Sequence, residues 1–151
     1  MRIGVPKEIK PQENRIGLTP ESVQELTSNG HKVLVENNGG FGAGFYNNQY
    51  IKAGATIVDK AEDIFNDSEI IVKVKEPLSK EIEMINENQI IFTYLHLAAD
   101  KKLTEDLLKS KSICIAYETV KPRFSWLICW FNINTTHHSI ASDIGYTIKI
   151  F

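Results

Sequence analysis

Three basic side chains in this 151-residue chain have the types that a small carboxylic acid requires: Arg15, Lys75 and His96. Arginine offers a planar fork that meets a carboxylate in two parallel hydrogen bonds. Lysine offers a point charge that can sit on a carboxylate or carbonyl oxygen. Histidine exchanges a proton near neutral pH. Together they suit a 2-oxo or 2-amino acid: clamp the carboxylate, polarise the carbonyl, move a proton. Each also has a plainer reading as a solvated loop residue, and the types alone leave both open.

The elements around them decide whether they can meet. Ile70-Ile71-Val72-Lys73-Val74 and Ile90-Ile91-Phe92-Thr93-Tyr94-Leu95 are β-branched and aromatic runs, separated by a polar, helix-permissive segment from Ser79 to Asn86. That pattern predicts two strands joined by a crossover helix, hence parallel strands ending on one edge of a sheet. Lys75 and His96 each follow one of these strands. Arg15 lies in the polar loop after a first strand, Arg2 to Val5. The carboxyl edge of an open α/β sheet is where ligands bind.

The remaining chain alternates in the same way. Thr19-Pro20-Glu21-Ser22 starts a helix that stops at Asn29-Gly30. Strands follow at His31 to Glu36 and Ala55 to Val58, helices at Asn47 to Ala53, Lys60 to Phe65 and Lys102 to Lys109, and a last strand at Ile113 to Tyr117. This predicts an α/β, Rossmann-like or flavodoxin-like three-layer sandwich with a mostly parallel sheet. Within it, Cys114 is expected as a buried thiol, and Glu105 with Lys109 as an i,i+4 pair on a solvated helix face. Phe92 and Tyr94 share a face, with packing as the expected role.

Other motifs point to weaker chemistry. Gly39-Gly40-Phe41-Gly42-Ala43-Gly44-Phe45 follows a strand, and Asp59 ends a later strand at about the spacing of a dinucleotide fingerprint. The third glycine is replaced by Phe45, and the following helix is short and asparagine-rich, so a plain turn is expected and no cofactor-binding residue. His137-His138 lacks an acidic or thiol partner at useful spacing, so no metal site is expected. A net charge of −2 with 24% charged residues gives no electrostatic reason to bind nucleic acid or an anionic membrane. No signal peptide or spanning segment is apparent, and Cys114 and Cys129 are expected as thiols in a reducing cytosol.

Several long motifs resemble bacterial alanine dehydrogenases, members of the alanine dehydrogenase and transhydrogenase N-terminal domain family. They are Met1 to Lys10, Glu13 to Pro20, Gly40 to Phe45, Val74 to Pro77, Thr93 to Asp100 and Ala116 to Val120. The resemblance implies NAD-dependent, reversible oxidative deamination of L-alanine to pyruvate and ammonia. It implies that Arg15 and Lys75 hold the substrate, that His96 with Lys75 is catalytic, and that NAD binds a separate Rossmann domain. The usual assembly is a cytoplasmic hexamer.

After Lys121 the chain departs from that pattern. Both tryptophans lie in this part, glutamate is absent from it, and the family's Met-Ser-Glu continuation does not follow. The expected organisation is therefore a substrate domain over residues 1–121 and an aberrant tail over 122–151, from a truncated or disrupted gene and inactive alone. The alternatives are a non-catalytic carboxylate-binding or assembly module, homo-oligomeric or docked on a longer relative, and a remnant that aggregates.

Overall fold

The computed structural model describes residues 1–119. Consequently Cys129, the His137-His138 pair and the tail at 122–151 lie outside the described residues. Six strands form one sheet: β1 (Arg2–Val5), β2 (Lys32–Glu36), β3 (Thr56–Val58), β4 (Ile70–Val72), β5 (Ile90–Thr93) and β6 (Ile113–Ala116). Their order is β3-β2-β1-β4-β5-β6, and every neighbouring pair is parallel. The order reverses between β1 and β4, which creates a crevice outside the carboxyl ends of those strands.

Among the described residues five α-helices cover the sheet: α1 (Pro20–Ser28), α2 (Asn47–Lys52), α3 (Ala61–Asp67), α4 (Ser79–Ile82) and α5 (Lys101–Ser110). Strand periodicity splits the apolar residues into two cores. Ile3, Val5, Val33, Val35, Ile70 and Val72 point to one face and meet Val23 and Leu26 of α1 and Tyr50 of α2. Ile71 and Ile91 point to the other and meet Ile64 and Phe65 of α3 and Leu103 and Leu107 of α5. The result is the three-layer sandwich expected from the alternation of elements, with an entirely parallel sheet.

The helix-start signal at Thr19 is realised: its side chain accepts from the Ser22 N–H at 3.4 Å, with Pro20 opening α1. Replacing Thr19 with Ala is expected to lower stability by about 1 kcal/mol, measured by urea unfolding, because a first-turn donor loses its acceptor.

Two sequence expectations are corrected here. Cys114 is exposed rather than buried. An unbroken apolar run is the signature of a strand covered on both faces, but β6 falls at the edge of the sheet, where Ile113 and Ile115 are exposed too. On α5, Lys109 pairs with Asp106 at 3.3 Å and Glu105 with Lys101 at 3.7 Å, so the Glu105–Lys109 pair does not form. The face is solvated as expected; the ammonium of Lys109 finds its carboxylate three residues back instead of four.

Candidate functional site

The loop after β1, residues 6–19, carries Glu8, Glu13 and Arg15. The segments after β4 and β5 carry Lys75 and His96. Because β1, β4 and β5 are adjacent and parallel, all three segments leave from the same edge. The β4 and β5 chains stay joined beyond the strands. The Tyr94 N–H donates to the Val74 carbonyl at 3.3 Å, and the Thr93 hydroxyl donates to the Lys75 carbonyl at 2.8 Å. Lys75 is half-buried and His96 exposed.

Arg15 is more than half exposed, and its fork is engaged by Glu13: Nε donates to Oε1 at 2.8 Å and Nη2 to Oε2 at 2.6 Å. That contact raises the guanidinium above its ordinary value and holds the Glu13 carboxyl below its own. The Lys75 ammonium adds to the lowering at Glu13, and Tyr94 acts on Arg15, so the three segments share one electrostatic neighbourhood. Guanidinium has five N–H donors and Glu13 uses two, which leaves donors for a second acid. A cavity of about 160 Å³ opens beside Arg15, bordered by Lys7, Glu8, Glu13, Asn38 and Phe41. Lys75 and His96 do not line it, so this cavity does not itself bring the three basic groups together.

His96 sits in a left-handed conformation, φ 48° and ψ 36°, uncommon for a residue with a side chain. Glu118 holds it there: Oε1 accepts the N–H of His96 at 2.9 Å and that of Leu95 at 3.2 Å. The imidazole stacks on Tyr94 with centroids 5.9 Å apart, and its Nδ1 lies 3.9 Å from Glu76 Oε2. Tyr94 in turn meets Tyr117 edge to face at 4.9 Å.

Sequence reasoning passed over the buried charges at this edge of the sheet. Lys73 is 1% exposed, with Nζ 2.5 Å from Glu81 and 3.3 Å from Glu8. Glu8 Oε1 also accepts the N–H of Val74 at 2.7 Å and of Lys75 at 3.4 Å. Burial pushes the Glu8 carboxyl up, against the pull of Lys73 and these N–H groups. Glu8 explains why β4 ends at Val72 rather than running on to Val74: its carboxylate captures the backbone that would continue the strand. A visible signal existed, since a lysine inside an apolar strand requires a buried counter-charge.

The glycine loop does not fit a dinucleotide. It follows β2, not the first strand, and leads into a 3-10 turn at Phe41–Ala43 and the six-residue α2. A Cβ on Gly40 would lie 2.8 Å from the Tyr50 ring, so the protein fills that space itself. Asp59 accepts from Asn37 at 2.9 Å. Among the described residues no group of three or more His, Cys, Asp or Glu side chains could hold a metal, and no helix is long and apolar enough to cross a membrane.

Residues 4–125 match the family model described as alanine dehydrogenase/PNT, N-terminal domain. The chain belongs to this family. Within the family it is 50% identical over 121 residues to the alanine dehydrogenase of Methanococcus maripaludis and 51% identical over 121 residues to that of Staphylococcus epidermidis. Each alignment covers 80% of this chain but 32% of the relative, so the chain spans about a third of their length. A solved L-alanine dehydrogenase superposes with a TM-score of 0.79 at 50% identity, over 82% of this chain and 34% of that one. A transhydrogenase from Sinorhizobium meliloti gives 0.76 at 26% identity, over 83% and 37%. The likeness of fold and sequence is therefore to about a third of each of these longer proteins.

Proposed function

We propose that residues 1–121 are the substrate-holding domain of an alanine dehydrogenase, one that grips L-alanine or pyruvate at the rim formed by Arg15, Lys75 and His96. The observation that carries this reading is the shared edge of β1, β4 and β5, with Lys75 and His96 on adjacent, still-bonded chains. The Arg15 fork binds the carboxylate through the donors that Glu13 does not use. Lys75 sits on the substrate oxygen, and His96 exchanges the proton as an amine and a carbonyl interconvert. NAD, held on a separate domain, would supply the hydride acceptor for the full reaction. The glycine loop departs from a dinucleotide fingerprint at Phe45, and the chain spans about a third of its relatives, which supports a second reading: carboxylate binding without turnover. A cytoplasmic location and a homo-oligomer belong to the first reading, with fractionation and light scattering as their checks.

Calorimetric titration of the chain with pyruvate, with no cofactor present, tests the rim. Binding is expected, and Lys75→Ala or Arg15→Ala should weaken it about 10- to 100-fold, since a charge-assisted hydrogen bond contributes roughly 1.5–3 kcal/mol. Unchanged affinity in both variants would remove the rim as the site. NADH formation from alanine by the pure chain would establish the enzyme and end the module reading.

A further inference from the structure

Glu76 has one oxygen with a partner and one without. Oε1 takes the Lys10 ammonium in an ion pair, while Oε2 is buried and has no hydrogen bond. A buried carboxylate oxygen left without a donor is unusual. The nearest cationic or donor group recorded for it is the Nδ1 of His96, 3.9 Å away, on the neighbouring strand's exit segment. Burial pushes the Glu76 carboxyl up, but Lys10, the backbone N–H of Glu76 itself and, least of all, His96 outweigh it and hold the group below its ordinary value, so Glu76 is an anion near the ring.

The backbone of His96 is fixed independently. Glu118, just beyond β6, binds the N–H groups of Leu95 and His96 and holds the left-handed turn. Tyr94 stacks beside one face of the ring, with centroids 5.9 Å apart and an interplanar angle of 28°. The groups around the imidazole are thus Glu76 with Lys10 behind it, Tyr94 on its own segment, and Glu118 from the other flanking strand.

We infer that Glu76 is a positioning residue for His96: its Oε2 accepts a hydrogen bond from Nδ1–H, which fixes the neutral ring as the Nδ1–H tautomer and leaves Nε2 as the nitrogen that works on substrate. Which nitrogen of a histidine is protonated is set by the partner of the other one. At 3.9 Å the contact is longer than a hydrogen bond, and such contacts tighten when a site is filled. The inference rests on His96 as the proton-exchanging group, but the state of the ring is measurable without any reaction.

The test is nitrogen-15 NMR of the His96 ring in the full chain, at a pH where the ring is neutral. The wild type is expected to show mainly the Nδ1–H pattern. Glu76→Ala should convert it to mainly Nε2–H, while Lys10→Met, which keeps the acceptor, should leave Nδ1–H in place. Where Glu76→Ala loses its native amide spectrum, Glu76→Asp serves instead, with an intermediate tautomer ratio expected from its shorter reach. A wild type that is already mainly Nε2–H, or a ratio that Glu76 substitutions do not move, overturns the inference. Pyruvate titration of the same samples keeps the two readings apart. Lost binding with Nδ1–H intact counts against the rim alone, and retained binding with Nε2–H counts against Glu76 alone.

Discussion

Lys73→Met is expected to destabilise the chain by about 3–5 kcal/mol, because it leaves two carboxylates in the interior without their cation. Glu8 and Glu81 both reach the Lys73 ammonium, and the three side chains are between 1% and 3% exposed. Methionine fills the volume of the lysine stem, so the loss reports the charge and not a cavity. Urea unfolding gives the magnitude. Changing Lys73→Met, Glu8→Gln and Glu81→Gln together should recover much of it, since no unpaired charge then remains.

The same variant has a pH signature. Burial already raises the Glu8 carboxyl above its ordinary 4.5, and Lys73 is the largest influence opposing that rise. Removing the lysine raises it further. A carboxyl raised in the folded state costs stability where it is ionised, above its folded pKa, and the cost disappears as it is protonated. The deficit of Lys73→Met relative to the wild type should therefore shrink as pH falls from neutral toward the ordinary carboxylate range. A deficit that stays constant over that window would mean that lost packing, not lost charge, is responsible.

Gly17→Ala is expected to be the other severe change. A Cβ at Gly17 would lie 2.5 Å from the Val72 carbonyl oxygen and 2.9 Å from its carbon. Both atoms belong to the backbone of a central strand and cannot turn aside as a side chain tip would. Overpacking of this kind costs about 1–3 kcal/mol. The strand is held on both sides by β1 and β5, so the loop is the part that moves. Arg15 is two residues away, and pyruvate affinity should fall along with the unfolding midpoint. Gly30→Ala is the comparison: nothing lies within 4 Å of its Cβ, and only its φ of +84° carries a cost. A Gly17→Ala variant no less stable than Gly30→Ala would show that the β1 loop is not pressed against β4.

Much of this architecture was legible because local rules and tertiary structure agree. Thr19, Pro20 and Gly30 mark the ends of α1, and the runs at Ile70 and Ile90 form neighbouring parallel strands. The positions of Lys75 and His96 just beyond those strands followed from the same reading. Glu8, Glu76, Glu81 and Glu118 did not stand out, although each holds a basic residue or its backbone. The basic residues they hold lie between 8 and 67 residues away in sequence, as between Glu81 and Lys73 and between Glu8 and Lys75, and periodicity carries no information at that range.

The amino-acid sequence alone determined which segments are strands and helices, and that three basic residues follow strands of one α/β sheet. Those outcomes depend on backbone preferences and on the alternation of apolar side chains, which act over a few residues. Only the tertiary structure decided the order of the strands. That order made β4 central and β6 an edge, buried Lys73 between two glutamates, left Cys114 exposed, and turned an oxygen of Glu76 toward His96. Burial and the pairing of charges depend on what crosses from distant parts of the chain, because desolvation is set by everything packed around a group and not by its neighbours in sequence.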